Sequence, residues 1–285
     1  RSHRGERLSS RHELAHLRAS LDAAVRRRAS RGHRRAAASE LQLTPAPREE
    51  RAPRLEERSQ QAPPEQPPVV EVLQPVTAPK REVEGLPEQR ALAASATTLE
   101  ELRSAVASCK ACGLCETRKQ TVFSDGGASS GVMFIGEAPG ADEDEQGLPF
   151  VGRAGQFLTR IIELGIGVKR EDVYIANVLK CRPPENRDPK PDEKALCTAW
   201  LDRQIELVNP KVIVALGRHA AVHLTGMDLS MGRLRGQVHR VNGRPIVPTY
   251  HPSYLIRQEG SSSFVRTKKL VWEDIQLAMR EAGLA

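Results

Sequence analysis

Three stretches of the chain, and one isolated amide, carry residue types whose spacing could support chemistry. The densest is 131–156, where an apolar run from Val132 to Ile135 gives way to a loop rich in Gly and Pro that holds Glu137, Asp142, Glu143, Asp144 and Glu145. Carboxylates on such a loop can orient a water or act as a base, and its glycines let backbone approach a ligand closely. The same composition also suits a solvated acidic loop. The second stretch, Tyr250-His251-Pro252-Ser253-Tyr254-Leu255-Ile256-Arg257, places a histidine directly after another apolar run. The third is a cysteine set: Cys109-Lys110-Ala111-Cys112, then Cys115, and far downstream Cys181 and Cys197 with fifteen residues between them. Four thiolates in two groups suit a structural zinc or an iron–sulfur cluster, both of which take soft sulfur ligands tetrahedrally. Spacing alone leaves Cys115 open as a ligand. Asn177 stands inside an apolar run, where a carboxamide needs a partner or a ligand.

The elements that must position these residues alternate in kind. Strands are predicted at Val132–Ile135, Val173–Leu179, Val212–Leu216 and Ile246–Tyr250, each a short apolar run bounded by turn residues. Helical periodicity marks a segment from Leu99 to about Cys109, one opening at Ala154, one from about Asp192, a short one at Arg218–Leu224 and a closing one at Val265–Met279. Thr97-Thr98-Leu99-Glu100 reads as the capping box of the first. This alternation predicts an α/β fold with a parallel sheet covered on both faces. In such sheets ligands bind outside the carboxyl ends of the strands. Glu137, Asn177 and His251 all fall at such ends and should converge on one mouth.

Residues 96–285 are expected to form this domain, and residues 1–95 a disordered extension. Arg1 to Arg35 hold eleven arginines against three acids, and Pro45 to Pro87 hold ten of the 20 prolines with few large apolar groups. Such a segment cannot bury enough surface to offset its ordering entropy. The net charge of +7 suggests a polyanionic partner. No apolar run approaches the roughly 18 residues of a membrane span, and no signal-peptide h-region follows the basic start. Five cysteines, an odd number, argue against a simple disulfide framework. A cytoplasmic, nucleoid-associated monomer without membrane contact is expected. No G-x-x-x-x-G-K-[ST] occurs, and the acidic loop would repel phosphate.

Gly136-Glu-Ala-Pro-Gly140, Pro149-Phe-Val-Gly152, Asn177, Lys180-Cys-Arg-Pro-Pro184 and His251-Pro-Ser-Tyr-Leu255 occur together and in this order. The combination resembles the family-four uracil-DNA glycosylases, the iron–sulfur branch of that superfamily, over about residues 97–282. The resemblance implies a three-layer α/β/α sandwich on a four-stranded parallel sheet. It also implies a 4Fe–4S cluster held by Cys109, Cys112, Cys181 and Cys197, with Cys115 outside the set. The implied reaction is excision of uracil from single- or double-stranded DNA, leaving an abasic site. In the implied roles, His251 donates to uracil O2 as negative charge develops, Asn177 reads N3–H and O4, and Phe150 stacks on the flipped base. Glu137 orients the attacking water, and Glu143 lies against C5 and excludes a methyl group. Leu255, or its neighbour Ile256, would wedge into the gap left by flipping, while Arg257 and Arg182 contact phosphates. A related branch that bonds covalently to uracil carries Gln where Ala138 stands here, together with an inserted basic loop, so turnover rather than a covalent adduct is implied.

Overall fold

The computed structural model of the chain describes residues 83–285 in full and residues 69–72 by their backbone. All of these fall within one unit, Pro67–Ala285. Most of the basic and Pro-rich extension lies outside the described residues.

Four strands form where apolar runs predict them: β2 (Val132–Gly136), β3 (Tyr174–Asn177), β4 (Val212–Leu216) and β6 (Arg244–Thr249). They are mutually parallel, in the order β6-β4-β2-β3. Alternate side chains of each strand enter opposite cores, as the period of two requires. Val132, Phe134, Ile175, Val214 and Val247 face one core, and Met133, Ile135, Tyr174, Ile213 and Ile246 the other. The first core is closed by Leu158 of α4 (Arg153–Arg160) and by Val271, Ile275 and Ala278 of α9 (Ser263–Ala282). The second is closed by Leu201 and Ile205 of α5 (Pro191–Val208), by Ala220, Ala221 and Leu224 of α6 (Arg218–Thr225) and by Leu234 of α7 (Met231–Leu234). A three-layer α/β/α sandwich results, with both faces of the sheet buried.

The expectation of a four-stranded, wholly parallel sheet is corrected: β5 (Val238–Val241) and β1 (Val69–Val72) extend it beyond β6 to six strands, in the order β1-β5-β6-β4-β2-β3. β5 (Val238–Val241) runs antiparallel to β6, joined by Asn242-Gly243, both at positive φ (51° and 75°). Two left-handed residues make the tight hairpin turn whose twist matches the strands, and Asn-Gly is its usual pair. β5 escapes hydropathy because His239 and Arg240 interrupt it. β1 (Val69–Val72) adds to its far edge in parallel, Val69 opposite Val238.

The boundary at residue 96 also moves. Helix α1 (Leu86–Ser95) lies within the segment expected to be disordered. Val83 and Leu86 pack on Leu196 of α5, and Ala93 and Ala96 join Trp200 and the residues Leu102 and Val106 of α2 (Leu99–Ala107). Helix α1 buries only Leu86, Gln89 and Ala93, too few apolar groups to register as a stripe. The capping box of α2 is shifted by one residue. Thr98 caps and accepts from the Glu101 amide, while Glu101 accepts from the backbone of both Thr97 and Thr98. No described helix is long and apolar enough to cross a membrane.

Candidate active site

The carboxyl ends of β2, β3, β4 and β6 open on one cavity of about 840 Å³. Glu137, Glu143, Phe150, Asn177, His251 and Arg257 all line it, so six of the eight non-cysteine residues singled out in the sequence are brought together. Leu255 and Arg182 are not among them.

Asn177 ends β3 beside Gly136, its register partner on β2. The residue is 2% exposed, and its Oδ1 has no hydrogen-bond partner among the described residues. An unpaired buried acceptor costs free energy of order 1–3 kcal/mol, so this atom is disposed toward a ligand that donates. The absence of a side chain at residue 136 keeps the space open: a Cβ there would lie 2.4 Å from Asn177 Oδ1 and 2.5 Å from Phe150 Cζ.

Phe150 is buried and held at φ 55°, a left-handed backbone that a bulky residue rarely adopts. Its surroundings impose that conformation. Arg170 donates to the Pro149 carbonyl at 2.7 Å, to Thr159 Oγ1 at 2.8 Å and to Asp125 Oδ2 at 2.8 Å, pinning the loop to its neighbours. Glu143 pins it from the other side. It belongs to α3 (Ala141–Gln146), a short helix where sequence suggested only loop. Its carboxylate accepts from the amides of Val151 and Gly152 at 3.0 Å each and from Gly140 at 3.1 Å. Glu143 therefore borders the cavity as the fastener of the Phe150 loop.

His251 caps α8 (Pro252–Arg257), with its ring centroid 5.6 Å from that of Phe150. Its Nδ1 accepts from the Ser253 amide at 3.1 Å and lies 2.8 Å from Ser253 Oγ. An acceptor at Nδ1 puts the proton of the neutral ring on Nε2. Burial pushes the pKa down to about 4, with Arg257 adding to the effect, so the ring is a neutral donor at physiological pH. The strand end behind it is braced by Asp274 of α9, which accepts from Thr249 Oγ1 at 2.8 Å, from Arg235 at 2.7 and 3.0 Å and from the Gly236 amide at 3.0 Å.

Glu137 follows β2, and burial raises its carboxyl above the usual value, partly opposed by His219. His219 Nδ1 lies 3.4 Å from Glu137 Oε1. One ligand atom each from Glu137, His219 and Asp188 lie within 4.8 Å of one another. Sequence reading missed His219 and Asp188. The available signal for His219 was its place just beyond the carboxyl end of a strand, in the first turn of helix α6 after Gly217.

Two expectations at the rim change. Leu255 is 1% exposed and belongs to the main core, so it does not stand free as a wedge. Helix α8 turns it inward and presents Tyr254, 37% exposed and stacked on Tyr250 at 5.1 Å, with Ile256 half-buried. Arg182 donates to Asn186 Oδ1 at 2.9 Å and lies outside the cavity lining, whereas Arg257 lines it and donates to Ser253 Oγ at 3.3 Å.

The cysteines lie apart from this mouth. Cys109, Cys112, Cys181 and Cys197 line a second cavity together with Arg118, Lys180 and Trp200, while Cys115 is not part of its lining. Burial pushes the Cys181 thiol up to about 11 and the Cys197 thiol up to about 12, and raises Cys112 as well. Donors meet these sulfurs: Arg118 Nη1 at 3.1 Å from Cys181 Sγ, and the Lys180 amide at 3.2 Å from Cys197 Sγ. The Trp200 Nε1–H is buried without a partner among the described residues.

Residues 123–276, spanning most of the strands and both catalytic-mouth loops, match the sequence model of the Uracil DNA glycosylase superfamily. The Type-4 uracil-DNA glycosylase of Thermotoga maritima is 43% identical over 182 residues, covering 63% of this chain and 92% of that protein. That of Archaeoglobus fulgidus is 41% identical over 186 residues, covering 61% and 93%. The Type-5 uracil-DNA glycosylase of Pyrobaculum aerophilum is more distant, 30% identical over 175 residues covering 55% and 73%. With the mouth assembled at the sheet's carboxyl edge and the matched region containing most of it, the chain belongs to the uracil-DNA glycosylase superfamily, in its type-4 branch.

Proposed function

We infer that this protein is a uracil-DNA glycosylase acting in DNA repair: it hydrolyses the bond between uracil and its deoxyribose and leaves an abasic site. The observation that carries the reading in this chain is the buried, unpartnered Oδ1 of Asn177 in a slot bounded by Phe150 and Gly136. Uracil presents an N–H donor at N3 next to the O4 acceptor, and one carboxamide complements both. Cytosine presents an acceptor at N3 and a donor at the exocyclic amine, which would leave the amide mispaired. Phe150 supplies the apolar face on which an extruded base stacks.

The C1′–N1 bond breaks with its electron pair passing to the uracil ring, so negative charge grows on O2 and O4. The neutral His251, with its proton on Nε2, meets that charge at O2, an interaction that strengthens toward the transition state. Water adds at C1′, oriented by the ionised Glu137, which takes its proton. Glu143 fixes the wall that would stand against C5. The rim residues Arg257 and Tyr254, with Ile256, are the side chains placed to meet backbone and neighbouring bases. Arg182 would reach phosphate only on DNA extending past the mouth.

The donor set of the second cavity fits a 4Fe–4S cluster held by Cys109, Cys112, Cys181 and Cys197. A tetrahedral zinc with bonds of about 2.3 Å would bring its sulfurs to about 3.8 Å from one another. Among the described residues, the group of three ligand atoms mutually within 4.8 Å is Glu137, Asp188 and His219, not a cysteine set. The wider arrangement, with N–H donors and an unused indole N–H around it, supports a sulfide-bridged cluster. When bound, the cluster supplies four iron–thiolate bonds that staple the 109–112 loop to the loop after β3 and to α5. On this reading residues 83–285 contain the chemistry, and the Arg- and Pro-rich extension before them is dispensable for it.

The test incubates the purified full chain with single- and double-stranded oligonucleotides carrying one uracil, then treats them with alkali. Strand cleavage at the uracil, and none at cytosine or thymine, is expected. Intact strands at saturating protein would refute the reading. The same preparation should be brown and contain iron. Cys109→Ala, Cys112→Ala, Cys181→Ala or Cys197→Ala should lose iron and Cys115→Ala should keep it, while colourless protein with stoichiometric zinc would overturn the cluster.

A further inference from the structure

One residue of the cysteine cavity reaches a residue that lines the other, and neither the reaction nor the cluster accounts for it. Lys180 is 1% exposed and lines the cysteine cavity. Its Nζ donates to the backbone carbonyl of Asn177 at 2.7 Å, and its own amide donates to Cys197 Sγ at 3.2 Å. Cys181 is the next residue in the chain. Lys180, Cys181 and Cys197 line this cavity together.

A buried ammonium is tolerated only where a counter-charge and hydrogen-bond acceptors surround it. Free thiols supply no charge, whereas thiolates bound to iron carry it permanently. Resting on the function and cluster proposed above, we propose that Lys180 is a positioning residue that links the cysteine-bound cluster to the uracil-reading amide of Asn177. The Lys180 amide meets Cys197 at one end of the loop, and the ammonium holds the Asn177 carbonyl at the other. The segment between is tied to the end of β2, with the Val178 amide on the Gly136 carbonyl and the Leu179 amide on the Glu137 carbonyl, each at 2.9 Å. Asn177 therefore has little freedom left once its carbonyl is held, and its side-chain amide keeps one aim into the slot. The cluster then serves recognition of the base at a distance, without touching it.

The test compares the wild-type full chain with Lys180→Met, which keeps the aliphatic stem and removes the ammonium. Iron content, visible absorption, affinity for free uracil by calorimetry, and single-turnover excision are measured on each. The expected result is retained iron with affinity for free uracil weakened by about tenfold or more, the scale of a lost hydrogen bond to a charged group. KM should rise more than the limiting rate falls. In an Asn177→Ala background the same change should add almost nothing, because Lys180 acts through that residue. If Lys180→Met unfolds or loses iron, Lys180→Arg replaces it: the charge stays and the donors are re-aimed, so weaker uracil binding at full iron content supports the link. Parent-like uracil affinity in an iron-loaded variant, or full additivity with Asn177→Ala, overturns this inference alone. Wild-type protein that lacks iron, or that leaves uracil in place, overturns the underlying reading and this inference with it.

Discussion

Replacing Gly136 with Ala tests the recognition slot with a single methyl group. The backbone of residue 136 is not at positive φ, so alanine can adopt it without strain. Only the space is contested. The new Cβ would lie 2.4 Å from Asn177 Oδ1 and 2.5 Å from Phe150 Cζ, where ordinary contact begins at 3.4 Å. Each neighbour must therefore give way by about 1 Å to restore a normal van der Waals separation. Neither yields easily: Asn177 is held through its carbonyl by Lys180, and the Phe150 loop is pinned by Arg170 and Glu143. Overpacking at a well-filled site costs about 1–3 kcal/mol, which the fold should survive. A misplacement of about 1 Å in the groups that hold the reacting base can cost about 100-fold in rate. Excision from a single-uracil oligonucleotide under single-turnover conditions should fall by that order. Thermal unfolding measured alongside should show a folded protein of lowered melting temperature. Excision within threefold of the parent by a folded Gly136→Ala protein would mean that the base does not lie between Asn177 and Phe150.

Removing the donor of His251 with His251→Ala should slow the chemical step by about 100- to 1,000-fold, the range for losing one preorganised donor to a developing oxyanion. Free-uracil binding should fall much less, and an unchanged single-turnover rate would make the histidine structural. Burial raises the Glu137 pKa, so as pH falls through that raised value the carboxylate is protonated and the rate should drop. His251, already neutral above about pH 4, should add no limb near the usual histidine range of about 6.5. A pH–rate profile of Glu137→Gln that keeps the same acidic limb would assign it elsewhere. Asp274→Ala should destabilise the fold by about 3–5 kcal/mol, because it removes the fully buried carboxylate that Arg235, Thr249 and the Gly236 amide share and leaves Arg235 only the half-exposed Glu273 at 3.8 Å. Denaturant unfolding that shows less than about 1 kcal/mol would refute the bracing role given to this pair.

Much of this site was legible in one dimension because its parts obey local rules. The apolar runs that became β2, β3, β4 and β6 are buried on both faces, so they read as continuous hydrophobic segments, and their carboxyl ends mark where a ligand must bind. Glu137, Asn177 and His251 each follow or end such a run, and the cavity gathers all three. Cys109 and Cys112 announced themselves by spacing. What could not be read depends on long-range packing or on weak local signals. β5 and α1 were missed because polar groups interrupt their few buried apolar residues, and pairing and docking make them. Leu255 lies within a recognisable motif, yet only the docking of α8 on the core decides that it points inward and that Tyr254 does not. His219 follows a strand's carboxyl end, but only the fold brings it within 3.4 Å of a carboxylate 82 positions earlier in the chain. Lys180 looks like any loop lysine until tertiary structure buries it between thiols and the Asn177 carbonyl. Residue type and period determined which groups could act. Burial and orientation, which no local pattern encodes, decided which of them do, because both depend on surfaces contributed by distant segments of the chain.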